Sequence, residues 1–256
     1  MNQVYFIGAG PGHPDHLTLL GARLLEKSRT VFAVPPFEQL FADLLVGKEC
    51  LVPFDFYFDQ LTARIDELLP EGPVAFLVPG DLTFYSPFQS LVDHYGERAV
   101  VVPGVGTANV ASARLGHTLD LPALCNRAIL VSPRTLGDDP DAPRLADLAG
   151  PGATLLIYMN NLPLPELVRQ LRSGYRSNVP IALLHRLSLP DEEVVTGRLD
   201  DIVEKVGSRD FFGLEGVKKG PSLTLVVVGE TLEGKVDGTW WDYRREHCWQ
   251  WPQEQE

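Results

Sequence analysis

Three short segments rich in glycine and proline hold the residues best suited to chemistry: Gly8-Ala9-Gly10-Pro11-Gly12-His13-Pro14, Pro79-Gly80-Asp81 and Pro103-Gly104-Val105-Gly106-Thr107. Each directly follows an apolar run. Glycine has no Cβ and tolerates positive φ, so such loops let a ligand come close to the backbone. A dinucleotide fingerprint does not fit the first of them. Its third glycine would fall at His13, and Pro11 lacks an amide donor that a pyrophosphate would use. The acidic residue expected about 20 positions on for a ribose is also missing; Phe32-Ala33-Val34-Pro35-Pro36 stands there. The loop reads as a ligand loop for something other than NAD or FAD, with backbone groups and the Asp81 carboxylate as its polar equipment. His13 and His16 have a spacing that could serve a metal, but no third ligand is near, so no metal site is expected. There is no G-x-S-x-G, Walker loop or Cys/His pair, which leaves covalent hydrolysis and phosphoryl transfer without support. No side chain can be assigned as catalytic.

The elements that must position these loops alternate. Val4–Ile7 reads as a buried strand, and Thr18 can cap a helix carrying Leu20, Leu24 and Leu25. Thr30–Val34 is a second strand, stopped by Pro35-Pro36, with a helix over Pro36 to Leu45 and a short strand over Cys50–Pro53. Leu61, Ile65, Leu68 and Leu69 mark an amphipathic helix. Val74–Val78 and Ala99–Val102 are strands, with helices over Pro87–Tyr95 and Ala108–Leu115, the latter stopped by Gly116. Apolar strands alternating with helices predict a parallel sheet covered on both faces. Ligands then bind beyond the carboxyl ends of the strands, where all three loops fall.

Beyond a link at Gly116–Leu124 the alternation continues. Strands are expected over Ala128–Ser132, Thr154–Tyr158, Ile181–Leu184, Glu193–Thr196 and Leu223–Val228, with a polar loop over Pro133–Asp141. Helices are expected up to Leu148, over Pro163–Leu171, and along the face of Leu199, Ile202, Val203 and Val206. Glu192-Glu193 implies an exposed or edge strand, so this second sheet reads as mixed, and Asp191-Glu192-Glu193 itself reads as a solvated turn. The predicted organisation is an α/β domain at 1–116, a second α/β domain at 117–232, and a tail at 233–256 holding all four tryptophans, Trp240, Trp241, Trp249 and Trp251. Such a tail can anchor an interface; packing back on its own domain is slightly favoured.

Composition excludes several classes. At 256 residues, with 45% hydrophobic and 22% charged residues, the chain has material for a full core. A net charge of −12 argues against nucleic acid and anionic membrane as partners. No run approaches the roughly 18 apolar residues of a membrane span. The three cysteines are scattered, which points to a reducing, cytoplasmic compartment.

With these loops in view the chain resembles the tetrapyrrole methylase family. GAGPGHPDHLTLLGARLLEKS is similar to that family's opening G-x-G-P-G-D-P segment before L-T and a helix. PGDLTFYSP is similar to its G-D-P-x-x-Y-G loop, and VPGVGTANVASARLG to its V-P-G segment before an alanine-rich helix. YMN at Tyr158–Asn160, DEEVVTGRLDDI and PSLTLVVVGE follow in family order. The likeness spans roughly residues 3–230 and implies two α/β domains, a parallel N-terminal and a mixed C-terminal sheet, with S-adenosylmethionine folded in the cleft between them, and usually a homodimer. It also implies cofactor contacts from Pro11, Gly80, Asp81, Phe84, Gly106, Thr107, Met159, Leu187 and Leu223. Some features depart from the pattern: His13 replaces an aspartate, Leu82 a proline and Ser86 a glycine, and Val34 stands where some members place an acidic proton acceptor. The second strand is similar to the precorrin-2 C20 branch, the second domain to the precorrin-4 C11 branch.

The function this implies is methyl transfer to a carbon of a precorrin or cobalt-precorrin in cobalamin biosynthesis. Two other readings keep the fold: a methyltransferase acting on protein, peptide or ribosomal RNA, and a cofactor-binding module without turnover. Tetrapyrrole precursors are polycarboxylates, so an acidic chain would need local cations. Arg134 and Arg186 follow apolar strands of the second domain, and Arg114 lies on the helix after the third loop; these are the substrate-binding candidates.

Overall fold

The computed structural model describes residues 2–136, 144–214 and 223–248. The chain divides into two compact units, one of Met1–Arg114 with Leu184–Glu193, the other of Leu115–Leu183 with Val194–Glu256.

The first unit is built on strands β1 (Val4–Gly8), β2 (Thr30–Ala33), β3 (Glu49–Leu51), β4 (Val74–Val78) and β5 (Ala99–Val102), with helices α1 (Leu19–Lys27), α2 (Phe37–Leu40), α3 (Phe58–Leu68), α4 (Gln89–Tyr95) and α5 (Thr107–Leu115). The strands lie in the order β3-β2-β4-β1-β5 and every pairing is parallel, with Val4 opposite both Val74 and Ala99. Side chains of a strand alternate between faces, and along the central strands β1, β2 and β4 both faces are buried. Phe6, Phe32 and Phe76 stack across one face at ring separations of 5.0 and 4.7 Å, under Leu61, Ile65 and Leu68 of α3 and Leu91 and Tyr95 of α4. Ile7, Val31, Ala33 and Leu77 fill the other, under Leu25 of α1 and Phe37 of α2. Each fully buried side chain of this size contributes about 1.5–3 kcal/mol. The sheet predicted for this half is the one found.

One detail differs from expectation. The helix expected over Pro36–Leu45 is split into α2 and a 3₁₀ turn at Ala42–Leu44; Phe37 and Phe41, four residues apart, both turn inward and stack at 5.9 Å. Thr18 caps α1 as expected, its hydroxyl accepting from the Gly21 N–H at 3.1 Å.

The second unit carries β6 (Arg127–Val131), β7 (Ala153–Ile157), β8 (Pro180–His185, its last two residues counted with the first unit), β9 (Glu193–Arg198) and β10 (Thr224–Val228), ordered β6-β7-β10-β8-β9. β6 runs parallel to β7 and β10 antiparallel to it, so this sheet is mixed, with β9 at an edge as the glutamates implied. Helices α6 (Pro133–Leu136), α7 (Leu145–Leu148), α8 (Leu164–Tyr175), α9 (Ile202–Val206) and α10 (Gly238–His247) complete it. Leu155, Ile157, Leu167, Leu171, Val226 and Val228 share its core. α8 runs a turn beyond the expected Leu171. Gly174 is helical there because it packs against the Ala146 and Ala149 carbonyls, and Arg176 (φ 57°) supplies the left-handed cap instead.

The polar loop expected over Pro133–Asp141 opens with the single turn α6; its remainder, with Pro221, Ser222, Trp249 and Trp251, lies outside the described residues. The tail begins as expected, with Glu233 paired to Arg198 and Gly234 against Leu121 and Leu124 of its own unit, but α10 departs from that expectation. None of α10 is buried, and Trp241 is 74% exposed. Trp240, Tyr243 and His247 stack along it at 5.7 and 4.4 Å, with Arg244 over Trp240, so its aromatics pack on one another rather than on the sheet. Among the described residues, no helix is long and apolar enough to cross a membrane.

Candidate functional site

Parallel β4, β1 and β5 are neighbours, so their carboxyl ends open on one edge of the sheet and bring the three glycine loops together. The loops are joined by backbone. The Ala9 N–H donates to the Val78 carbonyl at 2.8 Å, and Gly10 and Gly80 exchange bonds at 3.0 and 2.7 Å. The third loop lies closer still: a Cβ on Gly104 would fall 2.6 Å from Gly8 Cα and from the Gly80 carbonyl oxygen, which no other residue could accept. The Thr18 hydroxyl, 3.4 Å from the Pro103 carbonyl, ties the start of α1 to the same loop.

Asp81 is the polar centre of this arrangement. Its Oδ1 accepts from the Thr83 N–H at 2.8 Å and from the Thr83 hydroxyl; its Oδ2 accepts from the Gly104 N–H at 2.7 Å. Burial would raise its pKa, but these bonds favour the charged form and hold the carboxyl below the usual carboxylate range. One ionised side chain thus braces two loops. The first loop turns at Gly10 (φ 73°), with His16 directly against it. His16 Nδ1 is buried without a hydrogen-bond partner among the described residues, and burial, then the nearby His13, lower its pKa, against the opposing pull of Asp15. Among the described residues, no three His, Cys, Asp or Glu groups are placed to hold a metal ion.

Of the expected cofactor residues, Pro11, Gly80, Asp81, Phe84, Gly106, Thr107 and Leu187 lie in the first unit. Phe84 is 54% exposed, Leu187 is buried, and Gly106 and Thr107 open α5. Met159 and Leu223 belong to the second unit. Because β10 opposes β7, the residue after β7 and the residue before β10 share one edge of that sheet, and Arg134, exposed after β6, lies at the same edge. Met159 (φ 46°), Tyr85 (φ 56°), Arg186 (φ 51°) and Ser188 (φ 66°) are left-handed without being glycine, backbone states that cluster at functional sites. Val34 is packed among the cores on both faces of the first sheet and has nothing to offer a proton.

Two of the candidate arginines are already engaged. Arg114 Nε donates to Glu192 Oε1 at 2.6 Å, and Arg186 Nε donates to Asp191 at 2.6 Å. Both bonds use Nε, while a guanidinium presents five N–H donors. Glu192, placed in a solvated turn by the sequence reading, is therefore a feature that reading missed. Its partner lies 78 residues away, and only the Asp-Glu-Glu run signalled anything unusual.

The three loops suit a ligand that has polar ends and no phosphate. They offer backbone amides and carbonyls, one carboxylate and apolar neighbours such as Phe84 and Leu187, and no lysine or arginine occurs in residues 8–16, 79–88 or 103–109. A sulfonium nucleoside of the S-adenosylmethionine type meets that description, having a ribose, an adenine and an amino-acid end. The sequence profile of the Tetrapyrrole (Corrin/Porphyrin) Methylases matches residues 3–203.

The chain belongs to the tetrapyrrole methylase family.

This methylase is 34% identical over 259 residues to the precorrin-4 C(11)-methyltransferase of Pseudomonas aeruginosa, covering 95% of this chain and 96% of that protein. Its fold is similar to that of a cobalt precorrin-4 methyltransferase of cobalamin biosynthesis, with a TM-score of 0.75 and 22% identity, over 90% of this chain and 95% of that one. It is also similar to the uroporphyrin-III C-methyltransferase of Thermus thermophilus solved with S-adenosylhomocysteine, with a TM-score of 0.65 and 24% identity, over 91% and 99%. The protein is an S-adenosylmethionine-dependent methyltransferase.

Proposed function

We propose that this methylase transfers a methyl group to C11 of precorrin-4 or cobalt-precorrin-4, within the tetrapyrrole methylation of cobalamin biosynthesis. The near full-length likeness to the Pseudomonas aeruginosa precorrin-4 enzyme carries this reading. S-adenosylmethionine supplies an already activated methyl carbon, so the protein has to align the ring carbon with it and exclude water. Pro11, Gly80, Asp81, Gly106 and Thr107 line the backbone loops of the first unit that would hold the cofactor's polar ends, with Phe84 and Leu187 against its apolar parts. Arg134, and the Nη groups of Arg114 and Arg186, are the cations for substrate carboxylates. With the partly buried Val34 at the position where some relatives carry an acid, no side chain acts as base there, and water or a neighbouring polar group takes the proton. The working form is a homodimer in the cytoplasm, which family resemblance and the free cysteines Cys50, Cys125 and Cys248 support.

Transfer of label from S-adenosylmethionine to precorrin-4, cobalt-precorrin-4, precorrin-2 and uroporphyrinogen III tests the reading. Methylation of a precorrin-4 form at C11 is expected, and transfer to another acceptor alone refutes it. Asp81→Ala should weaken S-adenosylhomocysteine binding by about 1–3 kcal/mol, the scale of a lost buried polar partner. Calorimetry is the check.

A further inference from the structure

The segment Leu184–Glu193 joins the first unit through contacts that the assigned roles leave unexplained. After β8 the chain takes two left-handed residues, Arg186 and Ser188, and folds into consecutive tight turns, with Leu189 N–H on the Arg186 carbonyl at 2.9 Å and Glu192 N–H on the Leu189 carbonyl at 3.0 Å. Left-handed non-glycine residues are costly and persist where surroundings hold them. One carboxylate does much of that holding. Glu192 Oε2 accepts from the Ser188 N–H at 2.8 Å, closing the loop on itself, while Oε1 accepts from Arg114 Nε at 2.6 Å, fixing the loop to the last turn of α5. Glu192 is 20% exposed at its side chain against 57% for Arg114, so the carboxylate is the more enclosed partner. The loop's apolar residues face inward, Leu187 and Leu189 being 3% and 4% exposed. Leu189 rests on the first glycine loop; a Cβ on Gly12 would fall 2.6 Å from its Cδ2.

We propose that Glu192 is a positioning residue for the cofactor: with Arg114 it clasps the 186–192 loop over Gly12, setting the first glycine loop and Leu187 in the shape that receives S-adenosylmethionine. The inference rests on the cofactor reading of these loops. Glu192 touches no reacting atom. Its removal acts through Leu189 on Gly12 and through the Ser188 turn on Leu187, so it should appear in cofactor binding and leave the chemical step alone.

The experiment is S-adenosylhomocysteine calorimetry on the full chain as wild type, Glu192→Gln, Arg114→Gln, the double variant and Leu189→Ala, with thermal melts of the ligand-free proteins alongside. Glu192→Gln should raise Kd about five- to tenfold, the scale of a charged hydrogen bond that is partly screened. The double variant should be no weaker than Glu192→Gln, since both remove one link. Leu189→Ala should raise Kd similarly without touching a charge. In turnover, Glu192→Gln should raise KM for S-adenosylmethionine with kcat retained. Unchanged affinity in Glu192→Gln beside a binding wild type overturns the clasp. So does a lowered melting temperature with unchanged Kd, which is what a purely structural role would give. A wild type that binds no S-adenosylhomocysteine fails the cofactor reading itself, and the clasp with it.

Discussion

At the scale of single residues, Asp81 has the widest reach, because one carboxylate satisfies the Thr83 turn and the Gly104 amide together. Its pKa is lowered in the folded protein, below the roughly 3.9 of an unfolded aspartate. The sign follows: the charged form is favoured by folding, so the stabilisation is complete above about pH 4 and is lost as pH falls through the folded value. Asp81→Asn should therefore melt below wild type at pH 7, with the gap closing towards pH 3. Circular dichroism melts across that range check it, and a gap independent of pH would mean that the charge is not what braces the loops. His16 works in the same sense in a higher window. Its lowered pKa favours the neutral form, so its contribution is present above about pH 6.5 and fades on acidification.

At the scale of elements, the loops meet because β1, β4 and β5 are adjacent and parallel, and because Gly104 lets two backbones touch. Gly104→Ala should destabilise by about 1–3 kcal/mol, the cost of overpacking, and should also weaken S-adenosylhomocysteine, since the third loop would be pushed off the first. Gly174→Ala offers a contrast. It should lower stability by pushing α8 off α7 in the second unit, with cofactor affinity kept in the protein that remains folded. Denaturant melts paired with calorimetry separate the two. Elements of this kind were largely legible beforehand: Val74–Val78 and Ala99–Val102 are bounded by apolar runs and by Gly/Pro punctuation, and they form as predicted. What was hidden is long-range. Nothing local says that Asp81 reaches Gly104 or that Glu192 meets Arg114, and the pattern that ends α8 at Leu171 does not show the Ala146 and Ala149 carbonyls packed on Gly174. Met159 entered the candidate site through family resemblance alone; its left-handed backbone is a property no side-chain pattern displays.

At the scale of the whole molecule, a chain of net charge −12 has to admit a polycarboxylate. The overall field repels such a substrate at long range, while the arginines act only at contact, so added salt should speed association as the Debye length shortens to about 10 Å at 0.1 M. Stopped-flow binding of the tetrapyrrole at rising ionic strength tests this, and a rate that falls steadily with salt would reveal a cationic approach instead. The exposed α10, with its stacked Trp240, Tyr243 and His247, bears on the proposed dimer. Light scattering of the full chain and of one ending at Gly238 should give a dimer in the first case. A monomer in both removes the dimer, and a dimer in both clears the helix of any part in it.

The return of Leu184–Glu193 to the first unit bears on how the protein is made. Synthesis runs from the amino terminus, and the five strands of the first sheet are all available once Val102 has left the ribosome. The contact that covers Gly12 and the carboxylate that meets Arg114 arrive about ninety residues later. Until then the nascent chain carries a glycine loop with its neighbour missing and a helix end with its charge unanswered. The cofactor-binding edge is thus the last part of the first unit to be finished, and a fragment of residues 1–116 would reproduce the sheet with that edge still open. Supplying the stretch around Leu189 and Glu192 as a separate peptide would be the way to close it in trans.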